Sequence, residues 1–293
     1  MGYRRYGASV WKEIYTEEGH RSHAWEEKCT IIEFIYKVCN KDVNAAQWTN
    51  LLSGSNYDEK AAQYLQRAFD VDFMVLVPDS KVHSFRNGIY FLEENQFVPY
   101  GSDMKIPDNV VAVQFYDKIF NLYEDAEDWY DIPTPSFQSI FEYQGYDEAT
   151  IRWCYVFAGR LMYDVGEKDN WQCIPFFKGA AQSGKSTIAK MVQSFFPAAM
   201  VAILSSNTEK QFGLAAVCDK KLWICPEVKA KFNLNQGDLQ SMITGERVSV
   251  SQKFKDAKTI EWKTPGIMMG NEVAESWVDG MGSLTRRLIC MNF

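Results

Sequence analysis

Residues 179 to 186 form a glycine-rich segment whose residue types and spacing suit the binding of phosphate groups. The segment reads Gly-Ala-Ala-Gln-Ser-Gly-Lys-Ser and fits the phosphate-loop pattern G-x-x-x-x-G-K-[ST]. In such a loop the backbone N–H groups turn toward phosphate oxygens, Lys185 can reach the β- and γ-phosphates, and the Ser186 hydroxyl can bind Mg²⁺. The predicted nucleotide-binding residues are Gly179, Ala180, Ala181, Gln182, Ser183, Gly184, Lys185, Ser186 and Thr187.

The elements on either side of this segment are the ones that a phosphate loop needs. An apolar run at 173–177 predicts the strand that leads into the loop, and apolar residues at helical spacing over 188–196 predict the helix that follows it. Pro197 then ends this helix. These flanks disfavour the alternative of a glycine-rich turn with an incidental lysine.

Polar side chains follow two later strand candidates. Glu227 ends an apolar strand candidate at 221–226, where phosphate-loop ATPases keep the acid that orients water or holds Mg²⁺. Asn271 follows a second candidate at 266–270 and could hydrogen-bond the attacking water or the γ-phosphate. The plainer alternatives stay open, because Glu227 could be only the first polar residue after a core strand and Asn271 only a turn former.

Two arginines, Arg286 and Arg287, precede another apolar run at 288–291. An arginine that acts across a subunit boundary stabilises the charge of the transition state in phosphoryl transfer. An exposed surface pair is the alternative.

A basic hairpin is predicted between the acid and the asparagine. Alternation predicts strands over 245–251 and 259–262, with a polar turn at 252–256. Residues 247–263 carry five positive and two negative side chains, a balance of +3 within a chain of net charge −7. Lys253 and Lys255, spaced by two, suit contacts to a nucleic-acid backbone that carry no sequence information. A solvated charged hairpin is the alternative.

The bulk composition bounds these possibilities. The chain has 293 residues, of which 46% are hydrophobic and 24% charged, as expected for a globular protein without a membrane-spanning segment. Its seven cysteines form no C-x-x-C pair, which favours a reducing compartment, and the N-terminus lacks the apolar core of a signal peptide. His20, His23, Cys29 and Cys39 match no common zinc spacing, so a metal site there is not favoured.

The organisation along the chain comes from its changes in pattern. Residues 1 to about 70 are predicted mostly helical, with Trp11 and Trp25 on buried helix faces, and 73–98 are predicted as strands. Asn87-Gly88 predicts a hairpin, because both residues tolerate positive φ. Residues 101–107 indicate a linker, and the apolar pattern at 150–163 predicts a clear helix.

Five motifs in order resemble those of the superfamily 3 viral helicases. They are GAAQSGKST, LWICPEV, ITGERVSVSQKFKDA, TPGIMMGNE and TRRLICMNF. The resemblance is strongest to the helicase part of primase-helicases of large DNA viruses, of the poxvirus and algal-virus type. Two upstream segments, SFRNGIYFLEENQF and TPSFQSIFEYQGYDEATIRWCYVFAGRLMY, extend it over nearly the whole chain.

This resemblance implies an α/β phosphate-loop core similar to AAA+ ATPases. We expect an α+β N-terminal region at 1–105, a helical collar at 106–164 and the ATPase domain at 165–293. Lys185 and Ser186 would bind ATP and Mg²⁺. Glu227 would polarise water and reach the metal, directly or through water. Several members of the family have two adjacent acids at this point, whereas here Pro226 precedes the single Glu227. Asn271 would be the sensor, and Arg287, with Arg286 as the second choice, the arginine given to a neighbouring subunit.

The resemblance also implies the activity and the partners. A ring hexamer would move 3′ to 5′ on single-stranded DNA, contact it through Lys253 and Lys255 and unwind duplex DNA during viral replication, together with a primase and a polymerase. The expected location is a replication site in the cytoplasm or nucleus of a host cell. Two rivals stay open: a phosphate-loop kinase of a small acceptor, and an origin-binding or scaffold protein that uses ATP only to assemble.

Overall fold

The computed structural model describes residues 2–39, 46, 53–54, 56–67, 74–123, 125–207, 213–251, 257–277, 279 and 281–293. Contacts within the chain divide it into two compact units, Met1–Asn121 and Leu122–Phe293. The three-part division with limits after residues 105 and 164 stays a prediction. Among the described helices, none combines the length and the apolar character that crossing a membrane requires.

In its described residues, the first unit contains two small sheets and two helices. Its elements are β1 (Tyr3–Tyr6), β2 (Ser9–Tyr15), β3 (Arg21–Thr30), α1 (Ile31–Cys39), α2 (Tyr57–Arg67), β4 (Asp79–Phe85), β5 (Gly88–Phe91), β6 (Gln96–Pro99) and β7 (Ala112–Tyr116). β1, β2 and β3 form an antiparallel sheet in that order. The second sheet has the order β6-β5-β4-β7, in which only β4 and β7 are parallel. The unit is therefore α+β, as the sequence predicted.

The prediction that residues 1 to about 70 are mostly helical is wrong for residues 3–30. Trp11 lies on β2 and Trp25 on β3, and Trp25 is the cross-strand partner of Glu13 in this sheet. Aromatic residues favour strands as well as buried helix faces, so the spacing of the two tryptophans is compatible with either structure. In the folded protein, hydrogen bonding between neighbouring strands favours the sheet.

The hairpin predicted at Asn87-Gly88 is present. Phe85 pairs with Gly88, and neither Asn87 nor Gly88 has a positive φ. The glycine is needed for space instead, because a β-carbon on it would lie 2.4 Å from the backbone oxygen of Val98. The Asn87 side chain holds Phe120 through two hydrogen bonds, 2.8 and 3.0 Å long.

The second unit alternates helices and strands. Its elements are α3 (Pro135–Tyr143), α4 (Glu148–Arg160), β8 (Ile174–Lys178), α5 (Lys185–Gln193), β9 (Val201–Ile203), β10 (Leu222–Val228), α6 (Gln236–Thr244), β11 (Arg247–Val250), β12 (Lys258–Glu261), β13 (Gly266–Gly270) and β14 (Leu288–Asn292). Short 3₁₀ turns lie at Trp129–Asp131, Ala198–Met200, Gly213–Ala216 and Thr285–Arg287. The helices and strands predicted around the phosphate loop are confirmed.

Five strands form a parallel sheet in the order β14-β8-β13-β10-β9. Every residue of β13 and four of the five residues of β8 are buried, as expected for central strands covered on both faces. Trp223, Phe176, Met268 and Leu239 are the centre of the core around this sheet. The predicted α/β class is confirmed, and because the strands are parallel, all five carboxyl ends lie at one edge of the sheet.

Hydrogen bonds hold both ends of α4, and those at its carboxyl end reach the residue before β8. Asp147 caps its first turn by accepting a hydrogen bond of 2.9 Å from the backbone N–H of Thr150. At the other end Arg160 forms two hydrogen bonds to the carboxylate of Asp169 and one of 2.6 Å to the backbone oxygen of Cys173. Cys173 is the residue before β8, so this arginine ties the helix to the strand that enters the phosphate loop.

Candidate nucleotide site

The loop of residues 179–184 joins β8 to α5 at the carboxyl edge of the parallel sheet. Its first residue is anchored to the neighbouring strand, because the N–H of Gly179 donates to the backbone oxygen of Gly270 at 3.1 Å. On the other side, the N–H of Phe293 donates to the oxygen of Lys178 at 2.6 Å. A β-carbon on Gly179 would lie 1.9 Å from the oxygen of Phe293, so only glycine fits at this point.

The end of the loop opens the first turn of α5. Gln182 has a φ of 64° and Gly184 a φ of 104°, both in the left-handed region, and Gly184 is the N-cap residue. The first N–H groups of a helix have no partner within the helix, and Gly184 has no side chain that could accept a hydrogen bond from them. Such N–H groups bind anions, and the exposed Ser186 and Thr187 lie in the same turn.

The ammonium group of Lys185 lies within the curve of the loop. Its Nζ donates to the backbone oxygens of Gly179 and Ala180, at 2.7 and 2.5 Å, and to Oγ of Ser183 at 3.2 Å. The loop therefore combines a lysine ammonium, helix N–H groups and the Ser186 hydroxyl in one place. This donor set fits a phosphate chain with a bound Mg²⁺ ion.

Glu227 lies at the end of β10. In the sheet, β13 lies between β10 and β8, the strand that enters the loop. The pairing of β10 with β13 is irregular between Cys225 and Val228, and both residues inside this bulge, Pro226 and Glu227, are exposed. Proline has no N–H to donate to a neighbouring strand, which explains the bulge. The bulge leaves the carboxylate 64% exposed at the sheet edge that carries the loop, with Lys229 Nζ 3.9 Å away.

Asn271 follows β13 directly, and it lines a cleft together with the start of the loop. The cleft is lined by Lys178, Gly179, Ala180, Asn271, Glu272, Asn292 and Phe293. The structure therefore brings Asn271 to the phosphate loop.

Two charged residues of this cleft were not singled out in the sequence. Lys178 Nζ and Glu272 Oε2 form an ion pair of 2.8 Å. The hydrogen bond from Lys178 to the glutamate, followed by the attraction of its charge, raises the pKa of the lysine. Each residue is adjacent to a predicted site residue, Gly179 or Asn271, and this adjacency was the only signal in the sequence.

The turn after α3 also reaches the loop. Gln144 Nε2 donates to the backbone oxygen of Ser183 at 2.9 Å, and a β-carbon on Gly184 would lie 3.5 Å from a methyl group of Ile140. No motif marks Gln144 in the sequence. Only the fold brings it next to residues about 40 positions further along the chain.

The two arginines before β14 have different surroundings. Arg287 is buried, with 8% of its surface exposed, and its Nη1 donates to the backbone oxygen of Ser283. Its Nε is also buried and has no hydrogen-bond partner among the described residues. Arg286 is exposed.

The strands of the predicted basic hairpin are confirmed as β11 and β12, which pair antiparallel from Arg247 with Glu261 to Val250 with Lys258. Lys253 and Lys255 lie outside the described residues, so their contact with DNA stays a prediction. Within the described part of the chain, no three histidine, cysteine, aspartate or glutamate side chains gather to hold a metal ion.

Comparisons with known proteins give one family and several structures. A family model described as "Family of unknown function (DUF5906)" matches residues 177–287, the part from the loop to the arginines. No curated protein is similar enough in sequence to be matched.

Among solved structures, the apo A form of the NrS-1 C-terminal region is 18% identical, with a TM-score of 0.43 over 54% of this chain and 37% of that chain. A ligand-bound JCV helicase is 15% identical, with a TM-score of 0.34 over 55% of this chain and 41% of that one. The chain thus spans less than half of each of these proteins.

Proposed function

We propose that this protein is an ATP hydrolase that uses the free energy of hydrolysis to move along DNA and unwind it. It would act during viral genome replication in the host cell, as a ring of copies that moves 3′ to 5′. The observation that carries this proposal is the ammonium of Lys185 inside the phosphate loop, with Glu227 and Asn271 at the ends of the next two strands. Hydrolysis of a triphosphate needs a cation that binds the phosphate chain, an acid and a hydrogen-bonding amide.

Each residue has a distinct part in this proposal. Lys185 and the N-terminal N–H groups of α5 bind the phosphates, and the oxygens of Ser186 and Glu227 are the hard ligands that Mg²⁺ prefers. Bound Mg²⁺ supplies positive charge against the phosphate oxygens. The Glu227 carboxylate accepts a hydrogen bond from the attacking water, and the Asn271 amide holds that water or the γ-phosphate in position.

The surroundings of the arginines support Arg286 as the residue given to a neighbouring copy. A residue that reaches into another subunit must be accessible, and Arg286 is exposed whereas Arg287 is buried against its own turn. We therefore propose the reverse of the order that the motif resemblance implied. An arginine given in this way contributes a factor of about 10³ to 10⁵ to turnover.

The β11–β12 hairpin is proposed to couple hydrolysis to DNA. Its base is fixed to the core, since Val248 and Val250 are buried and Trp262, directly after β12, is 1% exposed. The indole Nε1 of Trp262 also donates to the oxygen of Thr264 at 2.7 Å. A change in the core would therefore move β11 and β12 together, and we propose that this movement acts on the DNA through Lys253 and Lys255.

ATPase and strand-displacement assays on 3′- and 5′-tailed duplexes test this function. We expect single-stranded DNA to stimulate ATP hydrolysis by the wild type, Lys185→Ala to abolish hydrolysis, and Lys253→Ala/Lys255→Ala to keep basal hydrolysis but lose the stimulation. Lys190→Ala, an exposed lysine near the end of α5, is the control and should behave as the wild type.

Other outcomes would contradict the proposal. Hydrolysis that DNA does not affect, with phosphate transferred to a small acceptor, would indicate a kinase. ATP-dependent DNA binding without strand displacement, unchanged in Glu227→Gln, would indicate a scaffold.

A further inference from the structure

The carboxylate of Asp279 receives four hydrogen bonds from the segment that leads to the arginines. Its Oδ1 accepts from the N–H of Leu284 at 2.8 Å and from the Ser283 hydroxyl at 3.1 Å. Its Oδ2 accepts from the N–H of Thr285 at 2.7 Å and from the Thr285 hydroxyl. One side chain therefore fixes three consecutive residues immediately before Arg286.

The fixed segment is also tied to the core and to Arg287. Leu284 is 1% exposed, and its backbone oxygen accepts a hydrogen bond of 2.8 Å from the N–H of Arg287. The Ser283 hydroxyl, besides donating to Asp279, accepts from Nε2 of Gln240 on α6 at 3.1 Å. These contacts restrict the backbone of the turn, in which Arg287 is buried and Arg286 is exposed.

The charge of Asp279 suits this role. The Thr285 hydroxyl and the backbone N–H groups of Leu284 and Thr285 hold the pKa of its carboxyl well below its usual range. Hydrogen bonds to an ionised group are about twice as strong as those between neutral groups. The ionised carboxylate is therefore well matched to a turn that must keep one conformation.

We propose that Asp279 is a positioning residue that holds the turn of residues 283–287 so that Arg286 is presented to the nucleotide phosphates of a neighbouring copy. This inference rests on the proposed ATPase function. It predicts that the site served by Asp279 is not the nucleotide site of its own chain but that of the next copy in the assembly.

Single substitutions give the first test. In Asp279→Asn the amide NH₂ replaces one acceptor oxygen, so one backbone N–H loses its partner and the remaining bonds lose the contribution of the negative charge. A displacement of about 1 Å at a catalytic group costs roughly 100-fold in rate, so we expect kcat to fall about 100-fold while KM for ATP stays within about twofold. Thr285→Val removes one of the four bonds and should cause a smaller loss of kcat. Asp125→Asn, an exposed acid elsewhere in the same unit, is the control.

Mixing experiments give the decisive test. Copies with Lys185→Ala have lost their own loop lysine but keep Asp279 and Arg286, whereas copies with Asp279→Asn keep the loop. If Asp279 serves the neighbour, a mixture of the two inactive variants should recover activity well above the sum of the separate preparations. A mixture of Lys185→Ala with Arg286→Ala should recover in the same way.

The possible failures are distinguishable. If the Arg286→Ala mixture recovers and the Asp279→Asn mixture does not, or if Asp279→Asn alone is fully active, the inference is wrong and the ATPase proposal stands. If Asp279→Asn and Arg286→Ala are each inactive and neither mixture with Lys185→Ala recovers, the inference is wrong, because Asp279 then serves no neighbour. If the wild type does not hydrolyse ATP, the proposed function fails and the inference with it.

Discussion

Gln144 donates a hydrogen bond of 2.9 Å from Nε2 to the backbone oxygen of Ser183, the residue before the second glycine of the phosphate loop. Gln144 is also the C-cap residue of α3, and its own N–H donates to the backbone oxygen of Phe141. Phe141 is fully buried. The loop is therefore held not only by the strand and helix that flank it but also by a turn that is hydrogen-bonded to the backbone of the buried Phe141.

This contact predicts a specific effect of Gln144→Ala on nucleotide binding. Loss of one neutral hydrogen bond costs about 1 kcal/mol, so we expect the affinity for Mg-ATP to fall by about fivefold with little change in kcat. Gln138→Ala is a matched control, since Gln138 lies on the same helix and binds only the exposed Glu142 in the described structure. Titration of a fluorescent ATP analogue measures both. Equal effects of the two variants would show that the contact with Ser183 does not matter.

Glu227→Gln should separate binding from hydrolysis. The amide has nearly the shape of the carboxylate but cannot accept a proton, and general bases contribute a factor of about 10² to 10⁴. We therefore expect ATP affinity within about threefold of the wild type and a single-turnover rate lower by at least about 100-fold. Glu272→Gln is the comparison, because its ion pair with Lys178 lies at the same sheet edge. A larger loss of rate in Glu272→Gln would identify Glu272 as the acid instead.

The two arginines should give opposite results when each is replaced by alanine. Arg286 is exposed, so Arg286→Ala should leave the free energy of unfolding within about 0.5 kcal/mol and lower kcat by roughly 10³-fold or more. Arg287 is buried and binds the oxygen of Ser283, so Arg287→Ala should destabilise the fold by about 2 kcal/mol. Chemical unfolding and ATPase assays on the same preparations measure both. If Arg287→Ala kept full stability and lost activity, the order implied by the motif would be restored.

The sequence predicted the α/β class, and the strand and helix that flank the phosphate loop, well because their signals are local. A glycine pattern, apolar strands and an amphipathic helix each depend on neighbouring residues, and the structure places Lys185, Glu227 and Asn271 at one sheet edge. The contacts made by Gln144 and Asp279 could not be predicted in this way. Neither residue is part of a periodic pattern, and the role of each depends on where the folded chain places it.

In the N-terminal strands, a local sequence pattern predicted the wrong secondary structure. Trp11 and Trp25 fit the spacing of a buried helix face, yet they lie on adjacent antiparallel strands. Helix and strand preferences of aromatic residues differ by a few tenths of a kcal/mol, and backbone pairing with a neighbouring strand outweighs such a difference.

Two glycines offer a matched test of packing in the second unit. Gly266 begins β13, and a β-carbon on it would lie 2.0 Å from the buried indole ring of Trp223. Gly266→Ala must therefore displace the ring or the strand and should lower the free energy of unfolding by about 3 kcal/mol. Gly159 lies in α4 with no atom within 4 Å of such a carbon, and Gly159→Ala should stabilise the protein by about 0.5 to 1 kcal/mol. Denaturant unfolding of both variants measures these opposite signs, and a neutral Gly266→Ala would contradict the packing around Trp223.

His83 predicts how the stability of the first unit depends on pH. Its ring is 5% exposed, and burial, partly offset by a hydrogen bond to the Ser80 backbone and by the charge of Asp79, lowers its pKa from 6.5 to about 4. Below pH 6.5 the unfolded chain binds a proton that the folded chain does not, so this histidine lowers stability as the pH falls from 6.5 to 4. At 1.36 kcal/mol per pKa unit the loss reaches about 3 kcal/mol, and above pH 6.5 it vanishes.

Replacement of the ring isolates this contribution from the carboxylates that titrate in the same range. His83→Gln cannot bind the proton, so its free energy of unfolding should fall less steeply between pH 6.5 and 4 than that of the wild type. His20→Gln, which changes an exposed ring in the same unit, is the control for the replacement of a histidine by glutamine. Guanidinium unfolding at intervals of half a pH unit gives the three curves. Parallel curves for the wild type and His83→Gln would mean that the buried ring accepts a proton in the folded protein as easily as in the unfolded chain.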